Sequence, residues 1–271
     1  MRRTVIAAVV MVATALSADG AAATATPPRT AVQAQPQAQA QAQPQVQAAQ
    51  APVSSATAAP SATAVDEPVC ARFKGVEACV GPDGSDRPGI TVEDTAGDHR
   101  HTAVEYYLNG YLGTKYVIHN LGRDGEIRGS REIGKTVTFR AALYAGDERI
   151  KYSRWKTVRN VAKYPVKRDT RTTPAAAGAK SKRCTTTNGA ATMCFSERKT
   201  FVYACDTGAD KFQARAEYFV GGDPTTRYEI HQLAGAGTCG KAEHGDLPIS
   251  MYRASLFNND HRKATRLYKY N

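Results

Sequence analysis

Short runs of alternating apolar and polar residues, bounded by Gly, Pro, Asp or Asn, recur from residue 67 to the C-terminus. A period of two places successive side chains on opposite faces of a strand. In the first half the pattern predicts strands over Arg72–Val80, Ile90–Asp94, Thr102–Asn109, Thr114–Leu121, Lys135–Tyr144 and Arg149–Val158. Turn signals at 81–84, 96–98, 122–125 and 145–147 separate them. No helical period stands out, so the fold class expected is all-β.

The second half repeats the first. Asp94 to Leu121 aligns without a gap to Asp206 to Leu233 at an offset of 112, with 11 of 28 positions identical. Beyond this core, Phe139-Arg-Ala-Ala-Leu-Tyr144, Asp147 and Arg149 match Tyr252-Arg-Ala-Ser-Leu-Phe257, Asp260 and Arg262 at an offset of 113, and Trp155 matches Tyr268. The chain therefore reads as two duplicated domains, 67–160 and 184–271. Immunoglobulin-like sandwiches fit their size and strand count, and a small closed barrel is the alternative.

Alternation also assigns faces. Val104, Tyr106, Leu108, Tyr116, Ile118, Phe139, Ala141 and Leu143 share one parity, as do Ala216, Tyr218, Val220, Tyr228, Ile230, Tyr252, Ala254 and Leu256; these are the expected core. The opposite parity carries a repeated polar set, Glu105, His119 and Arg140 with Glu217, His231 and Arg253. Two roles are open to it: a ligand-binding patch, for a glycan for instance, or a solvated sheet face with structural Glu–Arg pairs.

The remainder of the chain supplies an address. Met1-Arg2-Arg3 precedes an apolar run from Val5 to Leu16 and small residues, which is the form of a signal peptide over 1–25 and too short to span a bilayer. No later run is apolar enough to span. Residues 26–66, built from Ala, Gln and Pro, cannot bury enough surface to offset ordering and read as a disordered spacer. Six cysteines in an exported chain read as disulfides. Cys70 and Cys79 open the first domain as Cys184 and Cys194 open the second. Cys205 and Cys239 have Glu93 and Ile127 as counterparts, and a pair absent together is a pair bonded together. The expected bridges are 70–79, 184–194 and 205–239.

Net charge is +11, but much of the excess sits in 161–183, a basic linker with seven basic residues and one acidic. Lys163, Lys167, Arg168, Arg171, Lys180, Lys182 and Arg183 are its candidate polyanion contacts. The domains themselves carry little excess, so a specific nucleic-acid interface is not expected. The turns Asp94-Thr-x-x-Asp98 and Asp206-Thr-x-x-Asp210 bring two carboxylates together, yet lack the further oxygens calcium needs; bonds to their own turn backbone explain them without a metal.

No metalloprotease, nucleophile-elbow, phosphate-loop or dinucleotide motif occurs. No catalytic residue, cofactor or metal is expected. The segment Tyr203-Ala-Cys205-Asp206-Thr207-Gly-Ala-Asp210, followed by Ala214-x-Ala216-Glu217-Tyr218, resembles a pattern of small exported actinomycete proteins with disulfide-bonded β-sandwich modules. That resemblance implies the fold, the cell exterior and the 205–239 bridge, and no activity. The function expected is a secreted or loosely wall-associated, non-catalytic binding protein contacting anionic wall polymer, glycan or another extracellular protein. A secreted inhibitor or toxin-like protein is the alternative, and a small extracellular hydrolase a third.

Overall fold

The structure, a computed structural model, describes residues 67–82, 88–96, 98, 100–122, 125–130, 135–159, 172–196, 201–245 and 247–271. The expected signal peptide (1–25), spacer (26–66) and linker residues 161–171 lie outside them. Among the described residues no helix is long and apolar enough to cross a membrane.

The first half contributes β1 (Val69–Phe73), β2 (Val76–Pro82), β3 (Pro88–Asp94), β4 (His101–Leu108), β5 (Tyr111–Asn120), β6 (Ile127–Ser130), β7 (Thr136–Ala145), β8 (Glu148–Tyr152) and β9 (Lys156–Arg159). A short helix, α1 (Pro174–Ala179), precedes the second half. There follow β10 (Arg183–Thr187), β11 (Ala191–Phe195), β12 (Phe201–Asp206), β13 (Gln213–Val220), β14 (Thr226–Gln232), β15 (Thr238–Glu243), β16 (Ile249–Asn258), β17 (His261–Thr265) and β18 (Lys269–Tyr270).

These strands form three antiparallel sheets. Two are four-stranded, in the orders β1-β2-β3-β6 and β10-β11-β12-β15. The third runs β17-β16-β13-β14-β5-β4-β7-β8, with β9 on β7 and β18 on β16. The same strand order thus occurs in each half, and the halves meet where β5 pairs with β14. Glu229 lies opposite Val117 there, and these two positions are related by the 112-residue offset itself. The pairing is therefore close to two-fold symmetric about that point.

The small sheets lie against one face of the long sheet, and the core fills the gap. All sixteen residues assigned to the core by alternation are buried there. Val76, Ala78, Val80, Ile90 and Val92 face them from the first small sheet, and Met193, Val202 and Ala204 from the second.

Three local features depart from the pattern. The expected strand Arg72–Val80 is a hairpin, β1 and β2, because Lys74 and Gly75 turn the chain with φ of 30° and 82°; the Gly supplies the left-handed conformation cheaply. The expected strand Arg149–Val158 breaks into β8 and β9, which pair with successive parts of β7. The basic segment is not linker throughout. Thr173 caps α1 by accepting from the Ala176 amide at 3.3 Å, Pro174 starts the helix, and Ala177 is buried against Cys194, Tyr203, Cys205 and Cys239.

The bonded cysteines are Cys70–Cys79, Cys184–Cys194 and Cys205–Cys239, each joining residues directly opposite on neighbouring strands. Glu93 and Ile127, the counterparts of the third pair, are likewise opposite each other on β3 and β6. Replacing Cys205 and Cys239 together by Ala is expected to cost about 2–4 kcal/mol, since the bridge closes a loop in the unfolded chain. A urea midpoint unchanged from wild type would contradict this.

Candidate functional site

The second face of the long sheet carries the polar set, and it is not a solvated face. Glu105, His119, Arg140, Glu217, His231 and Ser255 are buried, with Lys115, Arg215, Arg227 and Glu229 beside them. Burial of this many charges requires that they satisfy one another. Glu105 on β4 accepts from Arg140 Nε at 2.6 Å, Tyr144 Oη at 2.5 Å, Arg149 at 2.9 Å and Lys115 Nζ at 3.5 Å. Glu217 on β13 accepts from Arg253 Nε at 2.8 Å, Ser255 Oγ at 2.5 Å and Arg262 at 2.9 Å.

The turns at the two ends of the sheet cross to the opposite half. Asp147, between β7 and β8, binds Arg227 at 3.0 Å and also reaches Arg253 and Arg262. Asp260, between β16 and β17, binds Arg149 of the first half at 2.6 Å. The Arg262–Asp147 and Arg149–Asp260 pairs are counterparts under the repeat offset of 113. The sheet therefore curls until its outer hairpins meet across the middle, and this closure buries the face.

Glu229 stands at the centre, opposite Val117. It accepts from His231 Nε2 at 2.7 Å, His119 Nε2 at 3.0 Å and Arg227 at 3.1 Å. His119 Nδ1 then accepts from His101 Nε2 at 3.1 Å, a tautomer assigned from the acceptors present. Burial disfavours a charged imidazole. It pushes His101 down to about 3, aided by His119 and Arg227. It lowers His119, with Arg227 adding to the effect, and places His231 well below its usual range, with Arg215 and Lys115 contributing. Burial works against the Glu105 carboxylate, but Lys115, Arg140 and Arg149 outweigh it and hold the group ionised far down the scale. Glu229 behaves the same way through His119 and Arg227.

This arrangement restricts the chemistry. Asp147, Glu217 and Glu229 bring carboxylate oxygens within 4.8 Å of one another. Arg262 spans Asp147 and Glu217, and Arg227 spans Asp147 and Glu229, so guanidinium groups already neutralise the trio. Glu105, gripped by several cations that hold it ionised, does not suit the role of general acid. Cys70, Glu77 and Cys79 also cluster, but the sulfurs are bonded to each other and Glu77 binds Arg72 at 2.7 Å.

Compared with protein-family models, curated proteins and solved structures, the chain matches none.

The six residues read from the repeat thus come together, but in a closed interior. Lys115, Asp147, Arg149, Arg215, Arg227, Glu229, Asp260 and Arg262 complete the network and were not singled out. Parity was the available signal: 115 alternates in phase with 119, 215 with 217, and 227 and 229 with 231. Of the basic segment, Lys180, Lys182 and Arg183 are exposed near α1, while Lys163, Lys167, Arg168 and Arg171 lie outside the described residues. Asp94, Asp98, Asp206 and Asp210 each accept from the amide two residues on, at 3.0 to 3.2 Å, as turn caps do.

The accessible feature lies elsewhere. Cys70, Ala71, Arg72 and Phe73 of edge strand β1 and Tyr152, Ser153, Arg154 and Lys156 line an open groove of about 520 Å³. Lys156 Nζ donates to the Cys70 carbonyl at 2.6 Å across one end. Tyr152 is 53% exposed and Trp155 38%. Their rings lie 4.0 and 4.3 Å from the Arg140 guanidinium, which props them against the sheet.

Proposed function

We propose that the protein is an exported, non-catalytic binding protein that holds an anionic polymer or acidic glycan in the groove beside β1. The carrying observation is the combination on one open surface of exposed Tyr152 with the cations Arg154 and Lys156, beside the Arg72–Glu77 pair. An aromatic ring offers a face to sugar carbons, and cations on a concave wall attract phosphate or carboxylate. Export accords with three disulfides and with the signal-like N-terminus. The pairing of β3 with β6, β4 with β7, and β5 on the outer side of β4 supports reading each half as an immunoglobulin-like sandwich. The basic residues of 161–183 would add a salt-screened tether.

The test is equilibrium binding of the full mature chain to a polyglycerol-phosphate polymer and to an uncharged glucan. Tyr152→Ala and Arg154→Gln are each expected to weaken polymer binding, Tyr152→Ala by about tenfold, as loss of one stacked ring would. A variant with the seven linker cations changed to Gln should lose salt-dependent affinity but keep the groove contribution. Equal binding by wild type and both groove variants would remove the groove from the account.

One observation favours a protein partner instead. Leu267, between β17 and β18, is 90% exposed and Tyr270 is 78% exposed, the apolar anchor an inhibitor-like protein requires. Loss of a co-purifying protein on Leu267→Asp, with polymer binding absent, would support that reading.

A further inference from the structure

The charges in the buried network do not balance evenly between its two ends. Around Glu217, three cations (Arg227, Arg253 and Arg262) meet three carboxylates (Asp147, Glu217 and Glu229). Around Glu105, four cations (Lys115, Arg140, Arg149 and Arg215) meet two carboxylates among the described residues, Glu105 and Asp260. The asymmetry is visible in the sequence: Arg215 and Glu229 stand where the first half has Ala103 and Val117, but Glu229 is bound by Arg227, His119 and His231 and not by Arg215.

The surplus is concentrated in a ring of side chains. Lys115 and Arg149 share Oε1 of Glu105, at 3.5 and 2.9 Å. Arg149 and Arg215 share Asp260, at 2.6 and 3.5 Å. Arg215 and Lys115 flank His231 in the strand registers on either side of β14, which closes the ring. Two of these carboxylate contacts are long, at 3.5 Å, and both belong to the cations nearest His231. Moreover the Nε–H groups of Arg149 and Arg215 are buried without a hydrogen-bonding partner, as are those of Arg227 and Arg262 at the other end. The Arg215 side chain is 2% exposed and His231 is fully buried. Leaving such N–H donors unmet is costly, and leaving a surplus of buried charge unmet is costlier.

We infer that this ring binds a small monovalent inorganic anion, chloride being the simplest, between Lys115, Arg149 and Arg215. A halide accepts N–H donors from several directions and removes charge surplus, which a neutral water does not. His231 gives its Nε2–H to Glu229, so its Nδ1 is an acceptor and the donors to the anion are the three cations alone.

The experiment measures the thermal midpoint of the full mature chain at constant ionic strength while isethionate, a much bulkier anion, is replaced by chloride or bromide. A halide-specific rise of about 5 °C over a hundredfold increase in concentration is expected, because a ligand held only by the folded state stabilises it by mass action. Arg215→Ala, which installs the residue found at position 103, and Lys115→Gln should each abolish the halide dependence. Bromide-grown crystals should show one anomalous peak within the ring. Identical midpoints in all three salts for wild type, or an unchanged halide response in both variants, would overturn the inference and assign the unpartnered donors to water. If neither variant folds, the wild-type salt series and the bromide peak decide alone.

Discussion

Acidification is expected to unfold this protein along an unusually steep slope that begins near pH 6.5. His101, His119 and His231 all have folded-state values depressed below the ordinary 6.5, His101 to about 3. Between those values and 6.5 the unfolded chain binds protons that the folded chain refuses. The stability these groups contribute is therefore complete above pH 6.5 and is lost as pH falls through that window. Each histidine contributes a slope of about 1.4 kcal/mol per pH unit, so three acting together give about 4. Glu105 and Glu229, also depressed, act in the same direction at lower pH: their contribution is present above about 4.5 and declines below it. Urea titrations at successive pH values, read as stability against pH, measure the slope directly. A slope no greater than one histidine provides would contradict the burial of all three. His101→Gln, at the less buried end of the His101–His119–Glu229 chain, should reduce the slope by about a third.

Glu105→Gln is the second large effect. The substitution preserves shape but leaves Lys115, Arg140 and Arg149 facing a neutral amide within a closed interior. Breaking a buried ion pair from one side costs about 3–5 kcal/mol, mostly from the cations left unmatched. Glu217→Gln should cost a similar amount, since Arg253 and Arg262 lose the same kind of partner. Replacing Glu105 and Lys115 together by Gln and Met should recover part of the loss, because one unmatched charge is then removed with its partner. A loss below 1 kcal/mol for either single variant, read from urea midpoints, would mean that these groups are hydrated rather than buried.

The core and the closed interior were not equally legible in the sequence. Period-two alternation identified Tyr106, Ile118, Phe139 and their counterparts as core because burial between sheets depends on side-chain parity alone. The disulfides were legible because Glu93 and Ile127 replace both members of a pair. The fate of the opposite parity was not, because two long-range events decide it: the edge pairing of β5 with β14, and the curl that brings Asp147 and Asp260 across the sheet. Neither has a local signature. Glu105, Arg140 and His119 look alike in sequence whether water or protein lies beyond them. Strand β6 escaped for another reason: Ile127–Ser130 has four residues, no alternation, and exposes Ile127 at 56%. The helix α1 was masked by the basic composition around it, although Thr173-Pro174 is a recognisable helix start.

The junction of β5 with β14 bears on what happens if the polypeptide is cut between Arg159 and Thr172. Each fragment would keep its own hydrophobic layer, the first with one disulfide and the second with two. Each would also possess a bare hydrogen-bonding edge and half of a charge lattice whose partners reside on the other fragment. Such pieces have every reason to stay together, so a nicked molecule should travel as one particle until denatured. Separately expressed halves should find each other in solution, reconstituting a protein whose covalent continuity is dispensable once it has folded.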